Sequence, residues 1–235
     1  MKKIILYLII MIFILSGCSS DRLSDIKLDL EKVCKEPQNA EMLIDSAFAD
    51  LAQALQQEDI AADKIRELST GIKIIENSES RIIQYTQPPE VFGNSGKSSW
   101  QLFQYKPQKL AFVIEKNVPL DIQAYRIIKE DNVDYLYTYC VNYEVNIHRI
   151  SIKRSKIGKD GLIPEMVTME INNNDALWGY DKTSNTIYSR TGYTLSINNV
   201  SENGKIVSIG GIRADTNGQI ELKLRLSEHG IYELE

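Results

Sequence analysis

The chain has 235 residues, 43% of them hydrophobic and 25% charged, the proportions of an ordinary folded protein, and these exclude a collagenous, coiled-coil or polytopic membrane chain. Lys and Arg number 27 against 32 Asp and Glu, a net charge of −5. That balance argues against nucleic acid as a partner, which calls for a basic footprint. In chain order the first element is a secretory signal peptide over residues 1–17. Lys2 and Lys3 precede an uninterrupted apolar run from Ile4 to Leu15, followed by the small residues Ser16 and Gly17. The run is too short to span a bilayer as a helix, which takes about 20 apolar residues.

The tetrapeptide Leu15-Ser16-Gly17-Cys18 resembles the lipobox of bacterial lipoproteins. The resemblance implies that Cys18 is lipidated, becomes the first residue of the mature protein and anchors it in a membrane. Each buried methylene contributes roughly 0.8 kcal/mol, so two or three acyl chains hold permanently where one does not. Ser19, in place of the aspartate that retains enterobacterial-type lipoproteins in the inner membrane, implies transfer to the outer membrane, facing the periplasm.

Residues 18–38 then read as a lipidated tether with a marginal helix on Leu23, Ile26, Leu30 and Val33, stopping before Pro37. Residues 39–71 are helical. Asn39 is the expected N-cap of a helix carrying Ile44, Ala47, Phe48, Leu51 and Leu55 on one face. A shorter helix follows, capped by Asp59 and closed by Gly71 at positive φ.

From residue 72 to 235 the period changes from 3.6 to 2, and the chain reads as a β-rich domain. Strands are expected at Ile72–Ile75, Arg81–Thr86, Trp100–Tyr105, Leu110–Glu115 and Gln123–Lys129, with a loop over Gln87–Ser99. Alternation from Val133 to Ile147 predicts one long strand, and a phase flip predicts a bulge near His148 and Arg149. A meander closes the domain, with tight turns at Asn203-Gly204 and Asn217-Gly218. The fold class is α+β, short N-terminal helices followed by a mainly antiparallel β domain, either a sandwich or a twisted sheet.

Once Cys18 is lipidated, Cys34 and Cys140 are the remaining thiols, in a compartment where disulfides persist. A bridge between them would close a loop of roughly 105 residues and stabilise by about 4 to 5 kcal/mol. Charge is unevenly placed as well. Residues 19–67 hold 12 acidic against 6 basic side chains, the pattern of solvated helix faces.

Catalytic motifs are absent from the sequence. Gly93-Asn94-Ser95-Gly96-Lys97-Ser98 has Val91 where a P-loop needs glycine. His148 and His229 stand alone, with no histidine pair at ligand spacing and no GxSxG, so no metal, cofactor or catalytic residue is assigned. Two candidate binding features remain. Tyr135, Tyr137 and Tyr139 share one strand face and suit either a platform or core packing. Arg149, Lys153, Arg154, Lys156 and Lys159 form the one basic cluster, either a contact for an acidic partner or the guard of an edge strand. These readings describe a lipid-anchored, non-enzymatic envelope protein that binds another macromolecule, as an assembly accessory or a toxin-immunity protein. The alternatives are a lipid-anchored glycan or peptidoglycan hydrolase and a surface glycan-binding module.

Overall fold

The computed structural model describes residues 18–87, 98–144, 147–165, 169–170, 178–181, 186–189, 193–213, 216–228 and 232–235. The expected signal peptide, most of the loop expected over 87–99 and His229 lie outside them. The fold is α+β and mainly β, as the periodicity predicts. No described helix is long and apolar enough to cross a membrane.

The chain forms two compact units, one of residues 1–92 and 100–117, the other of 93–99 and 118–235. In the first, α1 (Cys18–Lys32), α2 (Ala40–Gln57) and α3 (Ala62–Arg66) accompany a four-stranded sheet. Its strands, in spatial order, are β1 (Ile72–Glu76), β2 (Ser80–Thr86), β3 (Ser99–Tyr105) and β4 (Leu110–Val118). These strands therefore group with the helices, and the boundary expected at residue 71 does not divide the molecule. Ile26, Leu30 and Val33 join Ile44, Phe48, Leu51 and Leu55 in one core with Ile83, Tyr85, Trp100 and Leu102 of the sheet. The helical start precedes the expected one, because α1 begins at Cys18 itself, with no extended tether.

Several caps differ from expectation. Asn39 occupies the N-cap position of α2 but makes no side-chain cap bond there. Its amide donates instead to Glu36 Oε2 at 3.1 Å. Ala61, not Asp59, precedes α3. Gly71 is required by proximity rather than by positive φ, since a Cβ there would stand 2.7 Å from the Thr86 carbonyl oxygen.

The second unit contains two sheets. One runs β10 (Trp178–Asp181), β11 (Thr186–Ser189), β7 (Ile147–Ile157), β6 (Val133–Glu144), β5 (Leu120–Glu130), with β8 (Leu162–Glu165) also on β7. The other runs β12 (Tyr193–Val200), β13 (Ile206–Arg213), β14 (Gln219–Leu226), β15 (Tyr232–Leu234), β9 (Met169–Glu170). Alternate residues of both, among them Tyr137, Val141, Ile150 and Ile152 from one and Leu195, Val207, Ile209 and Leu224 from the other, share a single core. This is sandwich packing.

The long strand expected over Val133–Ile147 is two strands. Glu144 pairs with Ile147, and β6 and β7 run antiparallel from there. Opposed residues in this register have numbers of opposite parity, as in Val141 against Ile150. The phase flip is thus a hairpin reversal, and the expected bulge at His148 and Arg149 is not needed. The expected bridge between Cys34 and Cys140 is not made either. Cys34, exposed just after α1, and Cys140, buried on β6, are both thiols.

Candidate functional site

β6 places Tyr135, Tyr137 and Tyr139 on one face by strand alternation, and that face is the sandwich core. Tyr137 and Tyr139 are both fully buried, so neither can serve as a platform for a ligand, and the binding role considered for them is withdrawn. Their hydroxyls are engaged internally. Tyr137 donates to Glu130 Oε1 at 2.9 Å. Tyr139 and Tyr232 share a hydroxyl bond of 2.8 Å, and Tyr232 donates to the Gly204 carbonyl at 2.6 Å. Burial pushes the Tyr139 hydroxyl up to about 12, held from rising further by its bond to Tyr232 and by Arg126. Burial raises Tyr137 and Tyr232 as well, with neighbouring Glu130 and Tyr139 adding to the shift.

The turn that receives these phenols is held from the opposite sheet. Arg126 on β5 donates through Nε to the Ser201 carbonyl at 2.8 Å and through Nη2 to the Val200 carbonyl at 2.6 Å. Gly204 has φ +68°, the conformation expected of it. At the second tight turn the positive φ, 55°, falls on Asn217.

The basic cluster does not form one surface. Arg154 and Lys156 oppose Tyr137 and Tyr135 on the sandwich face, whereas Lys153 opposes Thr138 on the other. The Arg154 side chain is only 16% exposed. It donates to Glu130 Oε2 at 2.6 Å, lies 3.6 Å from Glu165 Oε2 and stacks 3.9 Å over the Tyr135 ring. An arginine so engaged is part of the fold, which fits neither the partner contact nor the edge-strand guard expected of it. Arg149 and His148 are placed here by backbone register only, against Asn142 and Tyr143.

Among the described residues, concave surfaces lie elsewhere. On the outward face of β12, β13 and β14, Ser196, Gly210 and Glu221 stand side by side across the strands. Together with Asn198 and the half-exposed Ile212 they line a polar trough of about 420 Å³. Its floor is low because Gly210 has no side chain, and a Cβ there would sit 2.6 Å from the Asn198 amide. Glu221 is the one carboxylate among the described residues of its lining.

In the helical unit, a cleft of about 280 Å³ is lined by Leu55, Gln56, Gln57, Glu58, Asp59, Gln104, Lys106 and Lys109. Its base is fixed by a buried polar network. The guanidinium of Arg81, 1% exposed, donates to Gln104 Oε1 at 2.6 Å and to the Ile60 carbonyl at 2.8 Å. Gln104 in turn donates to the Leu55 carbonyl at 3.0 Å. Desolvation lowers the Arg81 pKa, with the nearby Asp59 and Glu76 charges acting in the opposite sense. Neither concave surface is announced in the sequence by a motif, since each is built from common polar residues contributed by separate elements.

No protein-family model matches the chain, and no curated protein does. Among solved structures the chain is similar to an endo-1,4-beta-xylanase from Bacteroides thetaiotaomicron, at 10% identity and a TM-score of 0.33, over 70% of this chain and 57% of that one. The chain thus spans little more than half of that structure, and a likeness of this size carries no argument about fold or activity.

Proposed function

We propose that the protein is a lipid-anchored envelope protein, held in the outer membrane on its periplasmic side, that binds another macromolecule as an assembly accessory or a toxin-immunity protein. The observation that carries the anchor is the sequence Leu15-Ser16-Gly17-Cys18, ending on the residue at which α1 begins. The outward face of β12, β13 and β14 supports the binding role. Its trough mixes hydroxyl, amide and carboxylate groups, and offers Ile212 at 52% exposure as an apolar contact. Apolar contacts surrounded by polar groups are the ordinary anatomy of a protein interface.

The anchor is tested by replacing Cys18 with serine and following radiolabelled palmitate. The wild-type protein takes up label and sediments with membranes, and the variant does neither; a variant that still labels overturns the reading. Partner capture by crosslinking in cells tests the binding role, with Ile212→Asp expected to lower capture at least threefold. Undiminished capture moves the contact elsewhere. The trough also supports the glycan-binding alternative, and retention of the protein on immobilised glycan, lost in Glu221→Ala, would favour it over a protein partner.

A further inference from the structure

We infer that the cleft between the end of α2 and the 106–109 turn is the part of the helical unit that meets the lipid surface, and that it receives a zwitterionic headgroup. The inference rests on lipidation of Cys18. From there it follows the helix. α1 is continuous from Cys18 to Lys32, and its buried residues Ile26 and Leu30 fix it in the unit's core. At 1.5 Å of rise per residue, Arg22 stands no more than about 6 Å beyond Cys18 along the axis. A bilayer's hydrocarbon is about 30 Å thick and about 40 to 45 Å with its headgroups, so each headgroup layer is about 5 to 8 Å deep. Arg22 is therefore at headgroup depth.

Arg22 donates to Gln57 Oε1 at 3.1 Å, and Gln57 lines the cleft. The cleft's rim is then held at the same depth by the same contact. Its charged groups are of both signs, with Lys106 3.9 Å from Asp59 and Lys109 and Glu58 also in the lining. Lysines suit a phosphate, and the two carboxylates suit an ammonium group. A phosphoethanolamine headgroup carries both. A purely anionic headgroup would bring no cation of its own to Glu58 and Asp59, within a front segment that is acidic as a whole. A helix continuous from the anchor, in place of a slack tether, keeps the cleft near the bilayer, where its charges can engage a headgroup.

The test uses the full lipidated protein in vesicles of phosphatidylethanolamine and phosphatidylcholine containing a headgroup-nitroxide lipid. One sample is labelled with a fluorophore on the native Cys34, at the far end of α1, and another on Gln108→Cys with Cys34→Ser. The label at position 108 is expected to be quenched at least threefold more strongly than that at 34. Equal or reversed quenching overturns the placement. Lys106→Glu with Lys109→Glu is expected to reduce quenching at 108 to the level at 34 without moving the melting temperature. Undiminished quenching, or stronger quenching of the parent protein in phosphatidylglycerol vesicles, overturns the headgroup assignment. Mass measurement of the N-terminal peptide separates the two readings: a lipidated Cys18 with equal quenching sinks only the cleft, whereas an unmodified Cys18 sinks both.

Discussion

Tyr232 donates to the Gly204 carbonyl at 2.6 Å and its hydroxyl bonds that of Tyr139 at 2.8 Å, which makes two phenols in an apolar core depend on keeping their protons. The unfolded chain loses those protons near pH 10, whereas folded Tyr139 keeps its own up to about 12. Stability tied to the neutral phenol is thus intact below pH 10 and is lost as pH rises to about 12. Two pH units are worth about 3 kcal/mol for Tyr139 alone. Alkaline titration followed by phenolate absorbance and far-ultraviolet circular dichroism should show part of the phenolate signal rising together with unfolding; complete phenol ionisation with the strands intact would contradict this. Arg154 offers a second case. Arg154→Glu removes a largely buried cation and sets a third carboxylate beside Glu130 and Glu165, an expected loss of about 3 kcal/mol. Lys153→Glu, on the opposite face, provides the comparison in denaturant melts. Equal effects of the two would refute the division of the basic cluster. Sequence shows a row of cations at these positions and their alternation, but not that Glu130 and Glu165 converge on one of them.

At the scale of elements, strands were legible where alternation was clean and the turns carried marked residues. β12, β13 and β14 follow the meander that Asn203-Gly204 and Asn217-Gly218 announce. The hairpin between β6 and β7 was not legible, because the apolar and aromatic stripe runs through to Ile147 with no glycine or proline to interrupt it. Without that punctuation, one long strand and two paired strands have the same periodicity. The N-cap position of Asn39 was legible, whereas the contact of its side chain, an amide donating to Glu36 in place of a cap bond, was not. Gly204 makes the turn testable. Alanine there takes a left-handed conformation and places its Cβ 2.7 Å from Ile128 Cδ1 and 3.1 Å from the Tyr139 hydroxyl. Gly204→Ala should cost about 1 to 3 kcal/mol in urea unfolding, and a change below a few tenths would mean that the turn is not clamped.

At the scale of the whole molecule, the fold class was legible and the division into units was not. β2 looks like a half-buried strand, yet Ser80 through Tyr85 are all buried, Arg81 and Gln84 included. Polar residues at covered positions conceal burial from any reading of hydrophobic pattern, and here hydrogen bonds to Gln104 and the Ile60 carbonyl make it tolerable. The thiols give a direct test at this scale. Alkylation of unreduced protein should modify Cys34 in the native state and both Cys34 and Cys140 after denaturation; protection of both in denaturant would restore the bridge. The path of the chain through the second unit has its own consequence. β9 lies beside β15 in parallel, Met169 against Tyr232, while β10 and β11, which come between them in the chain, belong to the other sheet. Neither sheet can therefore be completed before the chain has crossed to the other and returned. Most strands pair with their neighbours in sequence, but completion waits on two distant pairings, β11 on β7 and β9 beside β15, and closing such loops places assembly in the millisecond-to-second regime of β proteins. A chain built this way exposes unpaired strand edges for that whole interval, and its demand for an escort falls during folding rather than afterwards.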